Sequence, residues 1–339
     1  MENSIKISEL NESFKPVLFS LKNEEDKNKL KKLQATGKIM FFDSFDLQLA
    51  ELIKAQNPSR KLSQEETEEK KQEFYKKSGL PASENGVWVY YSWRNTMVRI
   101  LEEKEFVKLR TLRNRYKITD EEQELLQKKI VGIIGLSVGQ SVALSLAMER
   151  CFGEIRIADF DTLDLSNMNR IRTEGIIEDN INDFFNLNGK MDLLIEECDS
   201  LPIKLLSRIK AKALKIPVLM DTSDRGMMDI ERFDLEPDRL IFHGLLAEFG
   251  PEEKIMSRLP ESGKEMMMSL LQFDNLSPRV KFSFSELGKS ITSWPQLASS
   301  VFLGGAACCH YARLLLLDQK IDSGRFYVDL DKIINFNES

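Results

Sequence analysis

The sequence predicts an α/β protein with a Rossmann-like, doubly wound, mostly parallel sheet and a smaller N-terminal α/β subdomain. From Lys129 onward, short apolar runs alternate with helical segments, as in parallel sheets with crossover helices. The first of these runs, "IVGIIG", leads directly into a glycine turn and an apolar helix. A separate and shorter alternation of helical and strand-like segments precedes Lys129. We therefore expect an N-terminal subdomain of residues 1–105 and a main domain of residues 106–339.

The N-terminal subdomain alternates helices and strands up to an arginine-rich segment. Its predicted elements are the strand "KIMFF", the helix "DLQLAELIKAQ", a helix from a capping box at Ser63 to Gly79, the core strand "GVWVYYSW" and a long helix carrying "FVKLRTLRNRYKIT". The last of these brings Arg110, Arg113 and Arg115 close together. Surface salt bridges are one interpretation of these arginines.

The main domain repeats a strand-then-helix pattern. Its predicted strands are "IVGIIG", "EIRIADF", "MDLLIEECD", "IPVLMD" and "GRFYVDLDKII". Its predicted helices are "SVALSLAMERC", "SLPIKLLSRIKAKALK" and "LASSVFLGGAACCHYARLLLL". Ligands in such sheets bind at the carboxyl ends of the strands, so that edge is where we look for the site.

Composition excludes several classes of function. The 54 acidic and 48 basic residues give a net charge of −6, which argues against a general affinity for nucleic acid or for an anionic membrane. The absence of a signal-like N-terminus and of any run of 18 apolar residues predicts a cytoplasmic protein. Four cysteines without a Cys-x-x-Cys pair predict neither disulfides nor a zinc site. We expect His243 and His310 to be structural, although His243 alone could act as a base.

The glycine turn after the first main-domain strand predicts a phosphate-binding site with an incomplete motif. A Gly-x-Gly-x-x-Gly pattern would place glycines at positions 135, 137 and 140, whereas the chain has Gly135, Ser137 and Gln140, with Gly139 one place early. Ser137 can offer a hydroxyl to phosphate, whereas Gln140 implies that the helix cannot approach the strand in quite the usual way. Asp159 lies where a ribose-binding carboxylate is expected. At this point NAD and ATP are equally good candidates.

The polar run after Asp159 favours a triphosphate. Asn167 and Arg170 belong to a dense polar segment at the carboxyl end of a predicted parallel strand. A solvated loop is the alternative interpretation. A dehydrogenase has no need of this cluster, so we rank phosphate contact first.

The segment "DFDTLDLSNMNR" resembles the Asp-x-Asp-x-x-x-x-Ser-Asn-Leu-Asn-Arg motif of the ThiF, MoeB and HesA superfamily, the adenylating domains that also form the core of ubiquitin-activating enzymes. The resemblance covers roughly Arg110 to Asp221 and includes "DLLIEECDSLPIK" and "KALKIPVLMD". More narrowly, the chain resembles the adenylating half of large bacterial proteins in which such a domain precedes a nitroreductase-like domain.

The resemblance implies an ATP- and Mg²⁺-dependent adenylyltransferase, commonly a homodimer, which activates the C-terminal carboxylate of a ubiquitin-like protein or a peptide and releases pyrophosphate. It also implies the following roles: Gly135, Ser137 and Gly139 line the nucleotide loop, Asp159 takes the ribose hydroxyls, Asn167 and Arg170 contact the phosphates, and Asp199 binds Mg²⁺. Arg113 and Arg115 are candidates for the arginine finger, which often comes from the other subunit. Asp199 could also be the N-cap of the next helix.

The chain departs from the family pattern in two places. The family's lysine has no match, because the stretch between Arg170 and Asp192 is too short for the expected helix and strand. Either part of the site is lost, or a segment is missing from the sequence between Thr173 and Gly175, which we favour. The second departure is the thiol: Cys198, Cys308 and Cys309 are predicted to be buried, so a thioester would need a nucleophile on a partner such as a conjugating-type protein.

Two other functions stay open on the sequence. The strand, glycine turn and acidic residue also fit an NAD(P)-dependent oxidoreductase. Loss of the lysine and of two motif glycines fits a nucleotide-binding pseudoenzyme that serves as a scaffold. Asn167, Arg170 and Asp199 argue against the oxidoreductase.

Overall fold

A computed structural model of the chain describes residues 15–159, 184–185, 189–291 and 295–333. The chain forms two compact units, residues 1–117 and 118–339. Residues 106–117, which the sequence analysis assigned to the main domain, thus belong to the first unit. Within the described ranges, no helix combines the length and the apolar character needed to cross a membrane.

The first unit is an α/β subdomain built on a four-stranded sheet of order β1-β3-β4-β2, in which only the β2–β4 pair is parallel. Its strands are β1 (Val17–Ser20), β2 (Met40–Asp43), β3 (Val87–Tyr91) and β4 (Thr96–Ile100). Its helices are α1 (Glu24–Ala35), α2 (Phe45–Ala55), α3 (Gln64–Ser78) and α4 (Glu103–Arg110). This confirms the smaller N-terminal α/β subdomain.

Capping chemistry sets the helix ends in this unit. The predicted capping box is present: the Ser63 hydroxyl accepts the Glu66 N–H, the Glu66 carboxylate accepts the Ser63 N–H, and α3 ends at a left-handed Gly79. The predicted long helix through the arginines is wrong. It ends at Arg110 because Thr111 leaves helical geometry, and a 3₁₀ turn follows over Leu112–Asn114.

The second unit contains a six-stranded sheet of order β10-β9-β8-β7-β5-β6. Its strands are β5 (Ile130–Ile134), β6 (Glu154–Ala158), β7 (Leu193–Glu196), β8 (Val218–Thr222), β9 (Met227–Glu231) and β10 (Gly324–Tyr327). The pairs β6–β5, β5–β7 and β7–β8 are parallel, and β8–β9 and β9–β10 are antiparallel. The predicted mostly parallel, Rossmann-like sheet is confirmed.

Helices cover both faces of this sheet because its strands are apolar on both sides. Val131 and Ile133 of β5 pack in one core with α6 (Gly139–Glu149) and α10 (Ala298–Leu316), whereas Ile134 packs in the other with α7 (Leu201–Ala213) and α8 (Glu252–Leu271). The other described helices of this unit are α5 (Asp120–Leu126), α9 (Pro278–Glu286) and α11 (Leu330–Ile333).

The strand order reverses at β5. The chain passes from β5 to β6 on one side and then returns to β7 on the other side of β5. Such a reversal opens a crevice at the carboxyl ends of the two strands. Here those ends are Ile134 and Glu196, followed by the glycine turn and by Asp199.

Arg208 of α7 is wholly buried against the sheet. Its guanidinium donates to Glu196 of β7 and, at 2.7 Å, to Glu231 of β9, and it stacks 4.1 Å from the ring centroid of Phe242. Burial alone would raise the pKa of Glu196, but Lys204 and Arg208 outweigh that effect and lower it. One cation thus fastens α7 to two strands that flank β8.

We expect Arg208→Met to destabilise the second unit by about 3–5 kcal/mol, because it removes the buried cation that pairs with Glu231 and one of the two that pair with Glu196. Lys212→Met on the same helix is the matched control. Lys212 lies 2.7 Å from Glu252 in a partly exposed pair, so its loss should cost less than about 1 kcal/mol. Urea unfolding of both variants gives the comparison, and equal losses would contradict this role of Arg208.

Candidate functional site

The glycine turn lies directly against the end of β7. Gly135 has a φ of +87°, and a Cβ at this position would lie 2.6 Å from the Cys198 nitrogen and from the Glu197 carbonyl carbon. Its own N–H donates to the Ala158 carbonyl at 2.9 Å. Glycine alone combines an unstrained positive φ with the absence of a Cβ. The turn can therefore pass between the ends of β6 and β7 at the crevice.

Gly139 takes the packing role of the missing third glycine. It is the first residue of α6, and a Cβ there would lie 2.6 Å from Cγ2 of Ile133 in β5. The close approach of helix and strand thus occurs one residue earlier than the motif would place it, and Gln140 is buried. The α6 N-terminus, whose N-cap Val138 provides no side-chain cap, lies at the crevice.

Asp159 fixes the glycine turn from the side of β6. Its Oδ2 accepts the Leu136 N–H at 2.7 Å, directly after the end of that strand. A carboxylate has two oxygens and several lone pairs, so this bond does not use up its capacity as an acceptor. Asp159 thus lies next to the turn.

Asp199 lies on the wall of a cavity of about 390 Å³ that also includes Val138, Glu197 and Asp221. The side chain is exposed. Its alternative role as an N-cap is wrong, because α7 begins at Leu201 with Ser200 as its N-cap. The cavity therefore joins the start of α6 to the ends of β7 and β8, and it has the size of a small-ligand site.

Glu197 and Asp221 form a buried carboxyl pair on this cavity wall. Glu197 Oε1 accepts the Asp221 N–H at 3.0 Å. Burial, together with the neighbouring Asp221 charge, raises the pKa of Glu197 well above its usual range. Burial raises the pKa of Asp221 to about 7. This pair was not recognised from the sequence, although Glu197 directly follows β7 and Asp221 lies near the end of β8, where such a signal could have been sought.

The cysteines are buried, as predicted. Cys308 Sγ lies 3.9 Å from Glu197 Oε1, and burial followed by the charges of Asp221 and Glu197 raises the pKa of this thiol well above its usual range. Burial also raises the pKa of Cys198. Because thiolates are the reactive species, neither thiol is suited to nucleophilic attack.

Two cations that the sequence analysis did not single out also line the cavity. Lys204 Nζ lies 3.1 Å from Glu196 Oε2, and Arg325 Nε donates to Asp229 Oδ2 at 2.7 Å. Lys204 follows Asp199 by little more than one helical turn, which a sequence reading could have noted. Both charges are compensated by buried carboxylates.

Several predicted residues fall elsewhere. Asn167, Arg170 and the proposed gap between Thr173 and Gly175 lie outside the described residues. Arg113 and Arg115 belong to the first unit, and the Arg115 guanidinium lies 5.6 Å from the Tyr116 ring centroid. His243 Nε2 lies 3.1 Å from Asp229, which agrees with a structural role.

Comparison with known proteins gives one sequence relative. No protein-family model matches the chain. The Mycobacterium tuberculosis (strain CDC 1551 / Oshkosh) protein MT1398 is 36% identical over 278 residues, which is 73% of this chain and 38% of the relative. The chain thus spans well under half the length of that relative.

Solved structures with some similarity include E. coli TcdA, a tRNA N6-threonylcarbamoyladenosine dehydratase, and E. coli MccB with ATP. TcdA is 14% identical with a TM-score of 0.40, and the alignment covers 62% of this chain and 95% of TcdA. MccB is 13% identical with a TM-score of 0.37, and the alignment covers 64% of this chain and 72% of MccB. Scores this low carry no argument about function, which therefore rests on the residues described above.

We expect Gly135→Ala to destabilise the second unit by at least about 2 kcal/mol more than Gly288→Ala. Both glycines have positive φ, at +87° and +75°, but a Cβ at Gly288 meets nothing within 4 Å. The backbone strain is thus matched, and only Gly135→Ala adds a clash with fixed backbone. Thermal or urea unfolding measures both, and equal losses would show that the turn can move away from β7.

The carboxyl pair predicts a pH-dependent stability. The folded protein holds a proton on Asp221 up to pH of about 7, whereas the unfolded chain loses it near its ordinary pKa of 3.8. The free energy of unfolding should therefore fall as pH rises between these values, by at most about 1.4 kcal/mol per pH unit. Asp221→Asn should flatten that slope in urea titrations with EDTA, and an unchanged slope would contradict the shift.

Proposed function

We propose that the chain is an ATP- and Mg²⁺-dependent adenylyltransferase that activates the C-terminal carboxylate of a ubiquitin-like protein or a peptide. The observation that carries the proposal is the meeting of the glycine turn, the start of α6 and the Asp199-bearing cavity at the point where strand order reverses. The resemblance of residues 110–221 to adenylating domains supports the same reaction.

The glycine turn suits a nucleotide phosphate. Gly135 and Gly139 remove the two Cβ atoms that would otherwise separate the turn from β7 and β5. This leaves the N-terminal amides of the eleven-residue helix α6 at the crevice, where helix amides favour an anion. Ser137 and Asp159 flank the turn and are our candidates for phosphate and ribose contacts.

Asp199 suits a magnesium ion. It is an exposed carboxylate at the end of β7, and hard cations prefer carboxylate and phosphate oxygens. When bound there, Mg²⁺ would offset negative charge on the triphosphate. The neighbouring acid Glu197 is a poorer candidate, because burial favours its protonated form.

The proposed reaction needs positioning and charge neutralisation more than covalent chemistry by the protein. A carboxylate oxygen of the substrate attacks the α-phosphorus, the bond to the β-phosphate oxygen breaks, and pyrophosphate leaves. Asn167 and Arg170 are the proposed phosphate contacts. Arg113 and Arg115 are the candidates for the arginine finger, which often comes from the other subunit of a dimer in enzymes of this kind.

The proposed reaction has the adenylate as its final product. Cys198 and Cys308, the two thiols nearest the site, are buried and have raised pKa values, so transfer to a thiol would require a nucleophile on a conjugating-type partner.

ATP–pyrophosphate exchange with candidate ubiquitin-like proteins and peptides tests the proposal. We expect Asp199→Ala to lower the exchange rate at least about 100-fold, because it removes the proposed Mg²⁺ ligand. Asp238→Ala is the control, since this exposed carboxylate is not part of the cavity wall.

Three results would contradict the proposal in different ways. Exchange that survives Asp199→Ala undiminished would remove the magnesium assignment alone. Tight NADH binding without ATP binding, measured by calorimetry, would replace the adenylyltransferase with an oxidoreductase. ATP binding without exchange for any carboxylate would leave a nucleotide-binding scaffold.

A further inference from the structure

The cavity that holds Asp199 continues into an apolar chamber. We use this name for the part of the wall formed by Met227, Met267, Leu270, Leu276, Phe284 and Leu287. These side chains come from the end of the sheet, from the last turns of α8 and from α9 and its flanks. Phosphate and magnesium cannot use an apolar wall, so the chamber fits a different part of the bound molecules.

The outer wall of the chamber is fastened to the sheet. Asp224 Oδ2, in the turn between β8 and β9, accepts the Ser277 N–H at 2.9 Å. Arg225 in the same turn donates to the Asn275 carbonyl. Leu276 lies between these two anchors. The chamber is thus a built feature of the fold, bounded by a wall that the sheet positions.

The charges around the chamber select against an acidic occupant. Its described cations, Lys204 and Arg325, are already paired with Glu196 and Asp229. The carboxyl side chains on the same cavity wall are those of Glu197, Asp199, Asp221 and Asp224. An acidic side chain that entered the chamber would leave water without gaining a cation from the described wall, whereas an apolar side chain is stabilised by leaving water.

We propose that the chamber binds the side chain of the substrate's C-terminal residue, and that this residue is large and apolar, in the size range of leucine, methionine or phenylalanine. The inference rests on the proposed function, which places the reacting carboxylate in the same cavity. A side chain on the carbon next to that carboxylate then lies within reach of the chamber. A tail that ends in glycine would leave the chamber empty.

The test is ATP–pyrophosphate exchange with synthetic peptides that differ only in a C-terminal Gly, Ala, Leu, Phe or Asp. We expect kcat/KM to be at least about tenfold higher for Leu and Phe than for Gly, and lowest for Asp, because one buried methylene can already change selectivity by that factor. In parallel, the dissociation constants of glycyl- and leucyl-sulfamoyl adenosine, stable analogues of the adenylate, should differ in the same order.

Variants of the chamber make the assignment specific. Leu276→Trp fills it and should lower the ratio of kcat/KM for Leu to kcat/KM for Gly about tenfold. Phe284→Ala enlarges it and should shift the preference from Leu toward Phe. Phe282→Ala on the same helix is the matched control, because Phe282 is 67% exposed and is not part of the wall.

The outcomes separate this inference from the proposed function. If exchange is as fast with Gly as with Leu, and if Leu276→Trp does not change the exchange rate with either peptide, the chamber does not bind the C-terminal side chain. The proposed adenylyltransferase function would then still stand. Failure of every peptide to support exchange, together with failure of both sulfamoyl adenosines to bind, would overturn the proposed function and this inference with it.

Discussion

The ion pairs of the wholly buried Arg208 are the interaction on which the second unit depends. Arg208 joins α7 to Glu196 and Glu231 on either side of β8, in the interior of the second unit. Buried charges are expensive unless each is paired, so α7, β7 and β9 must keep their mutual positions. Asp199 lies between the end of β7 and the start of α7, and the buried pairs therefore hold the backbone on both sides of it.

The need to pair each buried charge also applies to the side chains of the proposed site. Lys204 and Arg325 face the cavity but are paired with Glu196 and Asp229. These cations therefore stabilise the structure around the cavity more than they attract a ligand. Burial and cationic partners lower the pKa of Glu196, whereas the neighbouring Glu197 has a raised pKa. Adjacent glutamates thus have opposite electrostatic roles. Glu196 balances the core cations, whereas burial favours the protonated form of Glu197.

Much of the fold could be predicted from periodicity and caps, because apolar strands and a Ser-x-x-Glu box signal structure locally. β9 was missed, since its sequence "MMDIE" buries Asp229 and Glu231, and charged residues hide a strand pattern. In the site, Gly135 and Asp159 lie where the motif predicts them. The role of Gly139 depends on its contact with Ile133, and the Glu197–Asp221 pair depends on the contact between two strands. Residue spacing in the sequence reveals neither contact.

The central claim is that ATP and a divalent cation bind at the carboxyl ends of β5 and β7. The most direct measurement is a crystal structure with a non-hydrolysable ATP analogue and Mn²⁺, in which anomalous scattering locates the metal. We expect a manganese peak at the Asp199 carboxylate and phosphates against the turn from Gly135 to Gly139. A nucleotide at this turn with manganese away from Asp199, or a nucleotide bound elsewhere, would contradict it.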